Sequence, residues 1–194
     1  MNNSKLQREL SRAMSNGHFE QDEAGALLFP RSGLVLGGVF DISKNGEEPE
    51  LFPNMIVDQF RTSALEQLFG GTAKIGTYYL APYAGNVNPA SGWTAANFAS
   101  NATEFTNYDE AARIEWDTGS VSSFSISNTA NRAVFTIADG GQTTIWGAGL
   151  LSASAKSATS GVLAAASKAA AARDNLVDGD EITIGYTITL NDDS

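Results

Sequence analysis

Apolar and polar positions change rhythm twice along this chain. Leu6, Leu10 and Met14 recur at i, i+4 and i+8, which predicts a short amphipathic helix within residues 1–16, with Ser4 as its N-cap and Asn16-Gly17 as its end. The run Leu34-Val35-Leu36-Gly37-Gly38-Val39-Phe40-Asp41-Ile42 predicts a first strand, closed by the turn residues Lys44-Asn45-Gly46. Residues 54–69 predict a second helix. There Asn54 follows Pro53 as a cap, Ile56, Phe60, Ala64 and Leu68 repeat at spacing four, and Gly70-Gly71 stop the pattern. Beyond residue 72 the rhythm shortens, and strands are expected at 75–81, 111–117, 123–127, 132–138, 143–151 and 182–190. The last is the cleanest. Ile182, Ile184, Tyr186, Ile188 and Leu190 alternate with Thr183, Gly185, Thr187 and Thr189, so one face is buried and one is wet.

Two stretches do not follow these rhythms. Residues 84–107 read as a long polar loop carrying Trp93 and Phe98, and a loop of that length is usually functional or lies against a neighbour. Residues 152–173 are rich in Ala and Ser. Alanine propensity favours a helix over their second half, yet no large apolar stripe would anchor it, so Gly161-Val162-Leu163 could instead be a strand edge followed by a small-residue segment packed closely on a neighbour. Residues 17–33 hold Glu20, Asp22 and Glu23 followed by Phe29-Pro30, and read as an extended arm. Residues 1–30 fit either a frayed terminus or an arm that orders on a partner. Many short strands between turn-rich connections predict a mainly β chain. The expected fold is an antiparallel, jelly-roll-like β-sandwich over 34–194 with one packed helix, preceded by an N-terminal arm over 1–33.

Composition then narrows the chemistry. The 194 residues contain no Cys and one His, which excludes disulfides, thiolate metal sites, a Cys nucleophile and a poly-His site. Against 12 basic residues stand 22 acidic ones, a net charge of −10, and a surface of that sign repels nucleic acid and anionic membranes alike. No apolar run approaches the roughly 20 residues that span a bilayer, and the first residues lack a signal peptide's apolar core, so a soluble chain is expected. Charged residues make up 18%, below the usual ~25%, which suits packing against other subunits. The charge is also uneven: Lys5, Arg8 and Arg12 against Glu9 make the first residues basic.

The candidate reactive groups mostly have plainer readings. His18 lies beside acidic residues in the arm and reads as a solvated surface residue, because a general base needs a fixed nucleophile and an orienting partner. Asp178-Gly179-Asp180-Glu181 suggests calcium but lacks the spaced ligands of an EF-hand, and Asp-Gly before a strand is ordinary turn chemistry. Asp139-Gly140-Gly141 reads as a hairpin connection between 132–138 and 143–151. The Gly pairs 37–38 and 70–71 match no phosphate-binding loop. Glu104, Asp109, Glu110 and Glu115 could hold a glycosidase pair, although a solvated acidic rim is the expected state. An exposed Trp93 would suit either a sugar or a subunit interface. No enzyme, metal or cofactor is expected.

The order of features resembles that of a family of tailed-bacteriophage virion proteins, described as head decoration (cement) or tail-fibre-like proteins. The resemblance runs from about Gly37 to Leu190. It is carried by Gly38-Val39-Phe40-Asp41-Ile42, Pro53-Asn54-Met55-Ile56-Val57 and Thr77-Tyr78-Tyr79-Leu80-Ala81-Pro82-Tyr83, then by Glu104 to Glu110 with Arg113 and Trp116. Later pieces are Ser127-Asn128-Thr129-Ala130 with Val134-Phe135, Ile145 to Ser154, Ser160-Gly161-Val162-Leu163, Ala172-Arg173 and Gly179-Asp180-Glu181. The resemblance implies a non-enzymatic virion component in many symmetric copies. Its partners would be the major capsid protein and copies of itself, with no nucleic acid and no membrane. A tail or tail-fibre component is the alternative, and a carbohydrate-binding module using Trp93 a more distant one. Interface contacts are expected from Lys5, Leu6, Arg8, Leu10, Arg12 and Met14 in the arm and from Trp93 and Phe98 in the loop.

Overall fold

A computed structural model describes residues 20–21, 27–28 and 33–193. The expected helix within 1–16 and His18 lie outside these. The chain divides into two compact units, one of Met1–Val35 with Asp192–Ser194 and one of Leu36–Asn191. In the first, β1 (Glu20–Gln21) and β2 (Leu27–Leu28) form a two-residue antiparallel ladder. The second holds the sandwich, whose first and last strands are β3 (Gly33–Lys44) and β12 (Glu181–Asp193). Between them lie β4 (Glu50–Pro53), β5 (Met55–Ile56), β6 (Tyr79–Tyr83), β7 (Ile114–Glu115), β8 (Ser125–Ser127), β9 (Ala133–Thr136), β10 (Ile145–Leu151) and β11 (Leu163–Arg173). Two helices interrupt them, α1 (Asp58–Phe69) and α2 (Ala95–Ala102).

The strands form two antiparallel sheets. One runs β5-β11-β10-β6-β7; the other runs β4-β3-β12, with β8 and β9 both paired to the free side of β12. The alternation read at 182–190 holds as far as Tyr186, since Ile182, Ile184 and Tyr186 are fully buried between the sheets beside Phe40, Ile42, Leu80 and Leu150, whereas Ile188 is half-buried and Leu190 exposed. The β10 sheet is covered on both faces, which its residues require. A second core of Ala81, Tyr83, Trp93, Phe98, Leu151, Leu163 and Ala166 fills its far side. Continuous burial of this kind favours small or apolar residues at every position of a strand rather than at alternate ones.

The Ala-rich segment is therefore a strand. β11 pairs with β10 along its length and takes β5 on its other side through Ala165↔Ile56 and Ala166↔Met55. Tertiary pairing overrides alanine's helix preference because β10 and β5 supply backbone hydrogen-bond partners on both sides of the segment. The close packing foreseen for these small residues is met inside the fold: Ala164, Ala165 and Ala166 are fully buried.

Other expectations shift. The helix expected over 54–69 starts at Asp58, because Met55–Ile56 pair with β11 and Asn54 donates to Tyr186 Oη (2.6 Å) instead of capping. Residues 84–107 are no open loop. Thr94 caps α2 in a reciprocal capping box with Asn97, whose Oδ1 accepts from the Thr94 N–H at 2.8 Å. Asp139-Gly140-Gly141 joins two different sheets, so it is not a hairpin; both glycines take positive φ (73° and 83°) in the crossing. Among the described residues no helix is long and apolar enough to cross a membrane.

Candidate functional site

Of the four carboxylates that sequence spacing offers to catalysis, Glu104 and Glu110 are occupied in holding the fold, while Asp109 and Glu115 lie exposed. Glu104, expected on a solvated rim, is buried. It accepts Arg113 Nε at 2.8 Å and Nη2 at 2.7 Å, and also the Ser157 N–H at 3.1 Å. Arg113 donates further to Ala153 O at 2.9 Å. A buried carboxylate paired with a guanidinium and a backbone N–H is an anchor for the 152–160 connection. Glu110 accepts the Thr136 N–H at 3.2 Å. Asp180 accepts from Asn45 Nδ2 (2.7 Å) and the Val177 N–H (3.0 Å) and pairs with Lys44 (2.9 Å). Those donors hold its carboxyl down at about 2, the Asn45 contribution first. Asp180 and the Glu181 N–H, which donates to Asn45 Oδ1 at 2.8 Å, thus close a turn against Lys44-Asn45, and among the described residues no cluster of acids or His could hold a metal ion.

Trp93 and Phe98 are also removed from the surface. Trp93, Phe98 and Tyr83 meet edge to face, their centroids 6.2–6.4 Å apart, and Phe98 has no exposed area. Neither ring is presented as the exposed aromatic that a sugar or a subunit would need. A shallow groove of about 430 Å³ does pass Trp93, between Gly92-Trp93-Thr94 and the Asp58, Gln59, Thr62, Ser63 and Glu66 side of α1. One of its polar lining groups, Gln59, is spent: Oε1 accepts from Ala95 N and Leu163 N at 2.9 Å each, and Nε2 donates to Gly161 O at 3.1 Å. The arm residues Lys5, Leu6, Arg8, Leu10, Arg12 and Met14 lie outside the described residues.

The feature with recognition character is a different groove, of about 350 Å³, between the other side of α1 and the end of the β12 sheet. Phe60, Ala64 and Leu68 of α1 form one wall. Ile75, Tyr78 and Trp116 form the floor, and the registered pair Ile188↔Ile126 forms the far wall. Local hydrogen bonds preform it. Gln67 Oε1 accepts the Ile75 N–H (2.6 Å), folding the residues after α1 back beneath the helix. Trp116 Nε1 donates to Tyr186 O (2.9 Å), and its backbone N–H to Tyr78 O (2.8 Å). Burial raises the Tyr78 hydroxyl above its ordinary value, only partly offset by its bond to Gln67.

Sequence reasoning missed this groove. The fourfold spacing Phe60-Ala64-Leu68 marks an apolar stripe but gives no hint that its C-terminal end stays wet. No residue of α1 is fully buried, and Leu65, Leu68 and Phe69 are 60%, 72% and 83% exposed. An exposed apolar surface joined to a preformed apolar groove is the signature of a protein-binding face. No protein-family model, curated protein or solved structure matches the chain.

Proposed function

We propose that this protein is a non-enzymatic structural component of a bacteriophage virion, a head decoration or cement protein that binds the assembled capsid. The observation that carries the reading is how the polar groups are spent. Glu104, Arg113, Glu110, Asp180 and Gln59 are committed to internal hydrogen bonds, while Leu65, Leu68, Phe69 and Phe124 face outward. Such a body is built to be held by other proteins rather than to transform a small molecule. The sequence resemblance between Gly37 and Leu190 supplies the virion setting. A subunit that binds only the assembled lattice stabilises it by mass action. The basic residues Lys5, Arg8 and Arg12 would pin the arm to an acidic neighbour.

Purified protein added to bare capsids, followed by whole-particle imaging and heat challenge, tests the reading. Ordered density on the head, with raised resistance to heat, is the expected result. Density on the tail, or no binding, would overturn it. Deleting residues 1–30 should lower occupancy, and unchanged occupancy would dispose of the arm's role.

A further inference from the structure

We infer that the face formed by the end of α1 and the groove beside it is a self-complementary interface for a second copy of this chain. The inference rests on the reading of the protein as a component present in many symmetric copies and assigns that assembly a surface. Three observations lead there.

First, the strand edges on the β8, β9 and β11 sides carry caps of their own. Glu50 Oε1 accepts the Ala170 N–H of β11 at 2.7 Å, and Glu110 accepts the Thr136 N–H of β9. Along β8, the Gly119 N–H takes Ser127 O (3.2 Å), and Ser122 and Ser125 exchange backbone bonds at 2.9 Å. Side chains and turns blunt these edges, which favours a partner docked on a face.

Second, one face combines a projection with a recess. Leu65 and Phe69 stand out on one side of Leu68, and the groove floored by Ile75, Tyr78 and Trp116 opens on the other. A two-fold interface needs this arrangement, because the same patch must be both donor and receiver. A two-fold axis passing near Leu68 would seat each copy's Phe69 in the other's groove.

Third, the area suffices. Beyond the Ile188↔Ile126 wall, Leu190 donates its N–H to Phe124 O at 2.9 Å, which extends the strip to a second exposed aromatic. Phe69 and Phe124, 83% and 78% exposed, alone leave on the order of 300 Å² in water. With Leu65, Leu68, Leu190 and the groove walls, the face reaches the scale of one side of a standard interface, roughly 800 Å².

Because the chain has no Cys, a single introduced thiol reports proximity cleanly. The full chain is studied by sedimentation across concentration, and Leu68→Cys is oxidised under mild conditions. The expected results are a reversible dimer and a covalent dimer through residue 68, with none from Val177→Cys, an exposed site at the opposite end of β12. Leu68→Glu should weaken dimerisation at least about thirtyfold, as loss of a central anchor does, with its thermal melt showing a folded chain. A monomer at all concentrations, or a dimer indifferent to Leu68→Glu and uncrosslinked by Leu68→Cys, would overturn the interface. A monomeric chain that still binds capsids would do so while leaving the decoration reading intact.

Discussion

Arg113 grips Glu104 through two parallel hydrogen bonds of 2.8 and 2.7 Å, with side-chain exposures of 0% and 1%. The pair ties the residues after α2 to the connection between β10 and β11, because the guanidinium also reaches Ala153 O and the carboxylate also takes the Ser157 N–H. Removing one partner strands a buried charge. Arg113→Met or Glu104→Gln should therefore each cost about 3–5 kcal/mol in chemical unfolding. The double variant Glu104→Met/Arg113→Met should cost clearly less than the two together, since no unpaired charge is left. Additive losses would show that the two groups act separately.

Glycines on β10 are set by the aromatic rings that lie on them. A Cβ on Gly149 would meet Phe98 Cε2 at 2.6 Å, and one on Gly147 would run into both the Ser167 carbonyl oxygen and the Tyr83 ring. A ring can tilt, whereas a paired strand carbonyl cannot. Gly149→Ala should cost about 1–3 kcal/mol, the usual range for overpacking a core, and Gly147→Ala more. The order is the prediction, and thermal or denaturant unfolding of the two variants decides it.

Two aspartates pull stability in opposite directions as acid is added. Asp180 is depressed from its ordinary 3.8 to about 2 by Asn45, the Val177 N–H and Lys44. Its contribution is present above about pH 4 and lost as pH falls toward 2. Asp41 is raised, because burial beside Gly185 outweighs the attraction of Arg132. Arg132 Nε lies 2.7 Å from Asp41 Oδ1, yet neither atom gains a well-aligned hydrogen bond. Charged Asp41 therefore costs stability at neutral pH, and acidification through its elevated value relieves that cost. Asp41→Asn should be at least as stable as the parent at pH 7 and should lose stability more steeply in acid. Asp180→Asn should be weaker at pH 7, with a flatter profile between pH 4 and 2. Unfolding free energy against pH separates the two.

The legibility of this protein in its sequence follows the periodicity of its strands. β12 was readable to within a few residues because one of its faces meets the core and the other is polar. The first strand was readable instead as a continuous apolar run closed by Lys44-Asn45-Gly46, with Phe40 to Ser43 all buried. β11 was not, because a strand buried on both faces has no alternation to show and spells itself in alanine. α2 was hidden because its cap is a side-chain exchange between Thr94 and Asn97 within a segment that looks polar throughout. The groove beside α1 was hidden because a stripe of apolar residues looks the same whether its end is covered or open.

By itself, then, the sequence determined the class of fold, the position of its most regular strands, and the exclusion of thiol and poly-histidine chemistry, all of which depend on local rhythm or on residue counts. Tertiary structure alone decided that Glu104 and Arg113 are a buried pair, that Trp93 and Phe98 belong to the core, and that Leu68 and Phe69 are exposed. Each of those depends on which distant segment packs against a residue, and burial and partner choice are properties of the folded neighbourhood rather than of spacing along the chain.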